Sequence, residues 1–249
     1  MKLSYLSAIS TGTVILIGVV LVAPAFFQVP KAHHATSIML AFDVLDNNDV
    51  TTLSIWCNDL SAFLQAQKLR AAVFVSGKTA EAAPDCTSFP RDVDIGSRTY
   101  SYVDLTLVED YTKALEEVKV GKEVVDRIAH ADSKLFRAPE GLTNDNIYSI
   151  LNRTGITADF SYGDHYNIYE NGFYVRHDAE TLQGLQVSVQ DFGKNTTNPT
   201  IIHFDSSTSI EEIGSILTRL RSGLDSHLFE FVNASELAGS ELTTRSDSQ

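Results

Sequence analysis

The sequence is poor in several residue types. Tryptophan occurs once, methionine and cysteine twice each, and proline six times in 249 residues. So few prolines, with 14 glycines, exclude collagen-like and Pro/Gly-rich disordered chains. Basic residues are scarce too. Nineteen Lys and Arg stand against 32 Asp and Glu, a formal charge of −13. Phosphate binding needs a basic face, so no nucleic-acid partner is expected. No histidine lies between Ala35 and Ala129. There is no internal repeat and no linker rich in Pro, Gly or Ser. What remains is 43% hydrophobic and 20% charged, an ordinary globular composition. One domain is the simplest account of the body.

The longest apolar run comes first. Ala8 to Val29 is broken only by Ser10, Thr11, Thr13 and Gln28. About 20 such residues can span a bilayer. Ala23-Pro24-Ala25 imitates a signal cleavage site, although Lys2 is the only base before it. Residues 1–30 are therefore expected to be a membrane anchor or a signal segment. Both place residues 31–239 outside the cell, in a single-pass membrane protein or a secreted one. Residues 240–249 read as a polar tail. Export suits Cys57 and Cys86, which either form one bridge or stay as buried thiols. Of the sequons at Asn152, Asn195 and Asn233, Asn195 lies in a polar loop and is the best glycosylation candidate.

The body alternates strand and helix signals. Strands are expected at Ser37 to Phe42, Ala71 to Val75, up to Gly96, Lys134 to Arg137 and Ile156 to Ser161. Others are expected at Phe173 to Arg176, Leu185 to Val189, Thr200 to His203 and Leu228 to Val232. Asn58 and Asp59 suit a helix N-cap before Leu60, Phe63 and Leu64. A long helix carries Tyr111, Leu115, Val118, Val125 and Ile128 on one face. Thr143 is expected to cap a helix that Gly155 ends, and Ser209-x-x-Glu212 opens the last one. Repeated βα units imply an α/β fold with a mostly parallel sheet. In parallel barrels reactive groups sit at C-terminal strand ends, and Asp43, Arg137 and His203 fall there.

Those strand ends carry a family resemblance. Ile38-Met-Leu-Ala-Phe-Asp-Val44 resembles a strand ending Thr-Phe-Asp-Asp-Gly. Ala72-Val-Phe-Val-Ser-Gly77 resembles Thr-Phe-Phe-Val-x-Gly. Asp94 to Leu105 resembles Glu-Ile-Gly-Asn-His-Thr-x-x-His-Pro-x-Leu, and Phe136-Arg-Ala-Pro-Glu-Gly141 resembles Arg-x-Pro-x-Gly. Ile201-Ile-His203 and Phe229 to Leu237 resemble the closing segments. The sequence thus resembles the polysaccharide deacetylases, the NodB-homology group of carbohydrate esterase family 4. The resemblance implies an irregular (β/α) barrel and metal-assisted removal of acetyl groups from a polysaccharide. Zinc or another divalent ion, held by one Asp and two His, would polarise the carbonyl and activate water.

Carried over residue by residue, the base is Asp43, the arginine that orients it Arg137 and the leaving-group acid His203. The three metal-ligand positions are Val44, Arg98 and Tyr102, so no metal is expected. Arg98 is worse than a missing ligand. A guanidinium ~4 Å from a divalent ion would cost on the order of 8 kcal/mol at an effective dielectric of 20. Arg98 is instead expected to take the metal's place beside Asp43. The alternative is an exposed Arg98, with Asp43 held by Arg137 alone. Tyr100, Tyr102, Tyr162 and Tyr166 offer aromatic faces for sugar, and Pro139 lies in the Arg-x-Pro segment. Three functions remain open. One is a non-catalytic envelope domain that binds a carbohydrate polymer or a partner. The second is a hydrolase with an atypical site, and the third a structural envelope component.

Overall fold

The computed structural model describes residues 36–46, 49–143, 145–161, 174–175, 179–180, 200–223 and 229–238. The N-terminal segment, the strand at Leu185 to Val189, Asn195, Tyr162, Tyr166 and the tail lie outside them. Among the described residues no helix is long and apolar enough to cross a membrane.

The chain runs β1 (Thr36–Asp43), α1 (Val50–Gln67), β2 (Ala71–Val75), α2 (Gly77–Ala82), β3 (Val93–Ser97) and α3 (Tyr111–Ala129). It continues through β4 (Leu135–Phe136), α4 (Asp145–Arg153), β5 (Ala158–Asp159), β6 (Tyr174–Val175) and β7 (Ala179–Glu180). β8 (Thr200–Asp205), α5 (Ile210–Gly223) and β9 (Phe229–Val232) close it. Every strand pairing is parallel, in the order β6-β5-β4-β3-β2-β1-β8-β7. β1 is central. β8 pairs along Ile38 to Asp43, while β9 takes Thr36 to Met39 and β2 takes Ala41 to Asp43. Each stretch overlaps β8, so β9 and β2 must share the opposite edge of β1. Among the described residues no pairing joins β6 to β7.

Period-2 alternation sorts the side chains into two layers. Ile38, Leu40, Phe42 and Val44 of the β1 segment join Val73, Val75, Ile202 and Phe204 beneath the helices, with Leu60, Leu64, Ile213 and Leu217. Met39, Ala41, Ala72, Phe74 and Ile201 line the inner face with Leu135 and Phe160. Each large apolar side chain buried this way contributes about 1.5–3 kcal/mol. A third cluster packs Val118 of α3 against Ile147, Ile150 and Leu151 of α4. Asp43 and His203 continue the inner rows of β1 and β8, while Val44 continues the outer row.

Two local expectations need correction. Helix α1 starts at Val50, not after Asn58, because the Asp49 carboxylate accepts the Thr52 N–H at 3.0 Å. The β-branched run Val50-Thr51-Thr52 hides that start, since such residues are weak helix formers. Ser76 closes β2 as expected but also N-caps the short helix α2, which carries no periodic signal. Tyr111 begins α3 but is exposed rather than on its buried face. Cys57 and Cys86 form a buried disulfide from α1 to the turn before β3. Closing a loop of separation 29 contributes about 3–4 kcal/mol on the loop-entropy account.

Candidate functional site

Four strands end at one place. Asp43 ends β1, and Arg98 and Arg137 follow β3 and β4 directly, their N–H groups donating to Val75 O and Ser97 O. His203 stands opposite Ala41 in the β1–β8 ladder. Arg137 Nε donates to Asp43 Oδ2 at 3.0 Å. His203 Nε2 lies 2.6 Å from the same oxygen. Arg98 Nη1 lies 3.5 Å from Asp43 Oδ1. The two guanidiniums also hold the backbone: Arg98 Nη2 donates to Ala138 O at 3.0 Å, and Arg137 Nη1 to Phe160 O. The exposed alternative for Arg98 is thereby overturned, for its side chain is only 1% exposed.

Burial alone would raise the Asp43 carboxyl. Arg137, then Arg98 and His203, overcome it and hold the group well below the usual carboxylate range. Asp43 is thus held in its ionised form and is a poor proton acceptor. His203 is the group of this set that reaches solvent, with 19% of its side chain exposed.

A second carboxylate lies deeper. Asp159, fully buried at the end of β5, accepts the Ser161 N–H at 3.0 Å and the Ser161 hydroxyl. Burial pushes it up to about 6 against the opposing Ser161 hydrogen bonds and the Arg137 charge. Ser161 Oγ also accepts the Ala138 N–H at 2.8 Å. Asp159, Ser161 and Ala138 therefore connect to Arg98 in one network.

Gly121 lets α3 approach the Arg98 segment. A Cβ there would sit 2.5 Å from Arg98 O and 2.7 Å from Tyr100 N. Above this floor Tyr102, at φ 60°, stacks on Arg98 with 4.5 Å from guanidinium carbon to ring centroid. Its other surroundings form a cleft of about 500 Å3 lined by Leu45, Asp46, Ser101, Tyr102, Glu140 and Asp205. Burial pushes the Tyr102 phenol up to about 12; Arg98 opposes this, and Asp43, Glu140 and Asp46 add to it.

The family model for polysaccharide deacetylase matches residues 31–158, just over half of the chain. The chain belongs to the polysaccharide deacetylase family. Solved structures agree on the fold. A Mycobacterium smegmatis protein assigned to the polysaccharide deacetylases is 13% identical over 87% of this chain and 93% of that one, TM-score 0.69. A carbohydrate esterase family 4 pseudoenzyme from Bacillus anthracis is 12% identical over 82% of this chain and 66% of that one, TM-score 0.59. A mutant of it with restored enzymatic activity gives 12% identity, 82% and 68% coverage and TM-score 0.60. No curated protein matches.

The residues present do not fit this deacetylase family's zinc. Val44 faces the apolar layer beneath the helices, fully buried. Arg98 brings a cation to the base carboxylate, and Tyr102 lies over that cation with its phenol protonated. Among the described residues no three His, Cys, Asp or Glu are placed to hold an ion.

Of the other expected ligand residues, Tyr100 turns to α2, its hydroxyl donating to Glu81 Oε2 at 3.2 Å, and does not line the cleft. Pro139 is buried at the start of its turn. Sequence reasoning missed Asp46, Glu140 and Asp205. Asp205 had a signal, since it shares the inward parity of His203 and pairs with Asp43. Asp46 and Glu140 sit in turns and had none.

Proposed function

We propose that this polysaccharide deacetylase has lost metal-assisted deacetylation and serves as an exported, membrane-anchored or secreted domain that binds a carbohydrate polymer. One observation carries the reading. The Arg98 guanidinium faces Asp43, with the Arg137 guanidinium on the other oxygen, where the family chemistry needs a metal-bound water and a free base. A base poised near working pH is effective; a carboxylate clamped by two guanidiniums is not. The relative's pseudoenzyme status makes such a loss reasonable in this fold.

His203 favours a second reading, an atypical hydrolase, because it is partly exposed and 2.6 Å from Asp43. Zinc analysis of the full chain after dialysis against zinc, paired with an acetate-release assay on N-acetylglucosamine oligomers, separates the two. Neither bound zinc nor acetate is expected. Tightly held zinc, or acetate release abolished by Asp43→Asn, overturns the proposal. Neither turnover nor glycan binding would leave a structural envelope component.

A further inference from the structure

The cleft has a one-sided chemistry. Asp46, Glu140 and Asp205 supply three carboxylates, Tyr102 an aromatic side chain and Ser101 a hydroxyl, while among the described residues no Lys, Arg or His lines it. Asp46 accepts from Ser76 Oγ and Thr79 Oγ1, and Asp205 from the Ser207 N–H at 2.8 Å, so both are fixed in place. Glu140 is exposed in a left-handed turn conformation and faces the same space. Arg98 does not neutralise them. It is engaged by Asp43 and Ala138 O and is covered by Tyr102. Beneath the cleft Asp43 Oδ1, almost fully buried, faces Arg98 Nη1 at 3.5 Å and accepts no hydrogen bond among the described residues. A ligand here meets negative potential and one aromatic platform in a space that holds a sugar ring or two.

We propose that the cleft above Tyr102 selects amine-bearing, de-N-acetylated amino sugars over N-acetylated or anionic ones. This rests on the reading of the cleft as a carbohydrate site. The sugar's apolar face stacks on Tyr102, and its ammonium donates to the Glu140 and Asp205 carboxylates.

The test is calorimetric titration of the full chain with a glucosamine hexamer, its N-acetylated counterpart, a uronic acid hexamer and spermine. The glucosamine oligomer is expected to bind about tenfold tighter than the N-acetylated one. Its binding should weaken with salt and disappear as pH rises past the amine's titration. Glu140→Gln should weaken it about threefold and Glu140→Lys further. N-acetylated oligomer binding as tightly overturns the amine selection and leaves the carbohydrate reading standing. Equal binding of spermine, or indifference to both substitutions, overturns it in favour of bulk attraction to an acidic chain. No saccharide binding overturns both readings.

Discussion

Asp43, Arg98 and Arg137 are at most 4% exposed, and the one carboxylate is paired with both guanidiniums. A few residues further along the same strand ends, Asp46, Glu140 and Asp205 line an open cleft with no cation among them. Burial accounts for the difference. A charge taken out of water must be paired, whereas like charges in water are screened. The floor therefore records what the fold requires, and the mouth is free to record what a ligand requires. Asp43→Ala against Glu140→Ala is the strongest test of that contrast. The first leaves two buried guanidiniums without their carboxylate and should cost about 3–5 kcal/mol in denaturant unfolding. The second should stay within about 0.5 kcal/mol. Similar costs would erase the distinction.

The pH profile of stability is the next test. Asp159 titrates at about 6 in the fold against an ordinary 3.8. The folded state binds this proton more tightly, so its contribution is present below about pH 4 and lost as pH rises to 6. A rise of that size corresponds to roughly 3 kcal/mol. Asp43 is shifted the other way. Its contribution is present above pH 4 and lost as pH falls below. Unfolding followed from pH 3 to 8 should therefore show Asp159→Asn abolishing the loss between pH 4 and 6. A loss of the same size in Asp159→Asn would place its origin elsewhere.

Much of this floor is readable in the sequence, because strand parity and strand-end position are local properties. Asp43, Arg137 and His203 follow from them, and so does the outward-facing Val44. The pairing of Arg98 with Asp43 follows from charge balance in a site deprived of its ion. The mouth is less legible. Asp46 and Glu140 lie in turns with no periodicity, and only the tertiary fold brings them to one cleft. The start of α1 is hidden for a related reason, since Val50 and the two threonines after it mask a helix fixed by its Asp49 cap. Asp159 gives no sign of its depth either. It falls in the strand expected at Ile156 to Ser161, but its burial depends on the pairing of β4 with β5, which is a tertiary contact.

Gly121→Ala probes how the floor is positioned. The added Cβ meets backbone, Arg98 O at 2.5 Å and Tyr100 N at 2.7 Å, so α3 or the 98–100 segment must move. Such overpacking costs about 1–3 kcal/mol. Because Arg98 moves with its backbone, the Asp43 pairing should loosen while the Asp46 side of the cleft stays in place. Stability measured in Gly121→Ala and in Gly121→Ala/Arg98→Met reads the coupling. Simple additivity would mean that α3 does not set the Arg98 position.

Tyr102 belongs to both regions, with its ring against Arg98 and its side chain among those lining the cleft. Tyr102→Leu keeps apolar bulk and removes the ring's quadrupole. A cation–π contact of a desolvated guanidinium contributes up to about 2 kcal/mol, so this is the smallest of the stability losses. Its value lies in separating the layers. If the floor is self-sufficient, Asp43 stays clamped and the pH profile keeps its shape, while saccharide binding falls because the stacking platform is gone. A variant that instead gained acetate release would show that the Tyr102 ring, and not the arginine beneath it, is what silences Asp43 and His203.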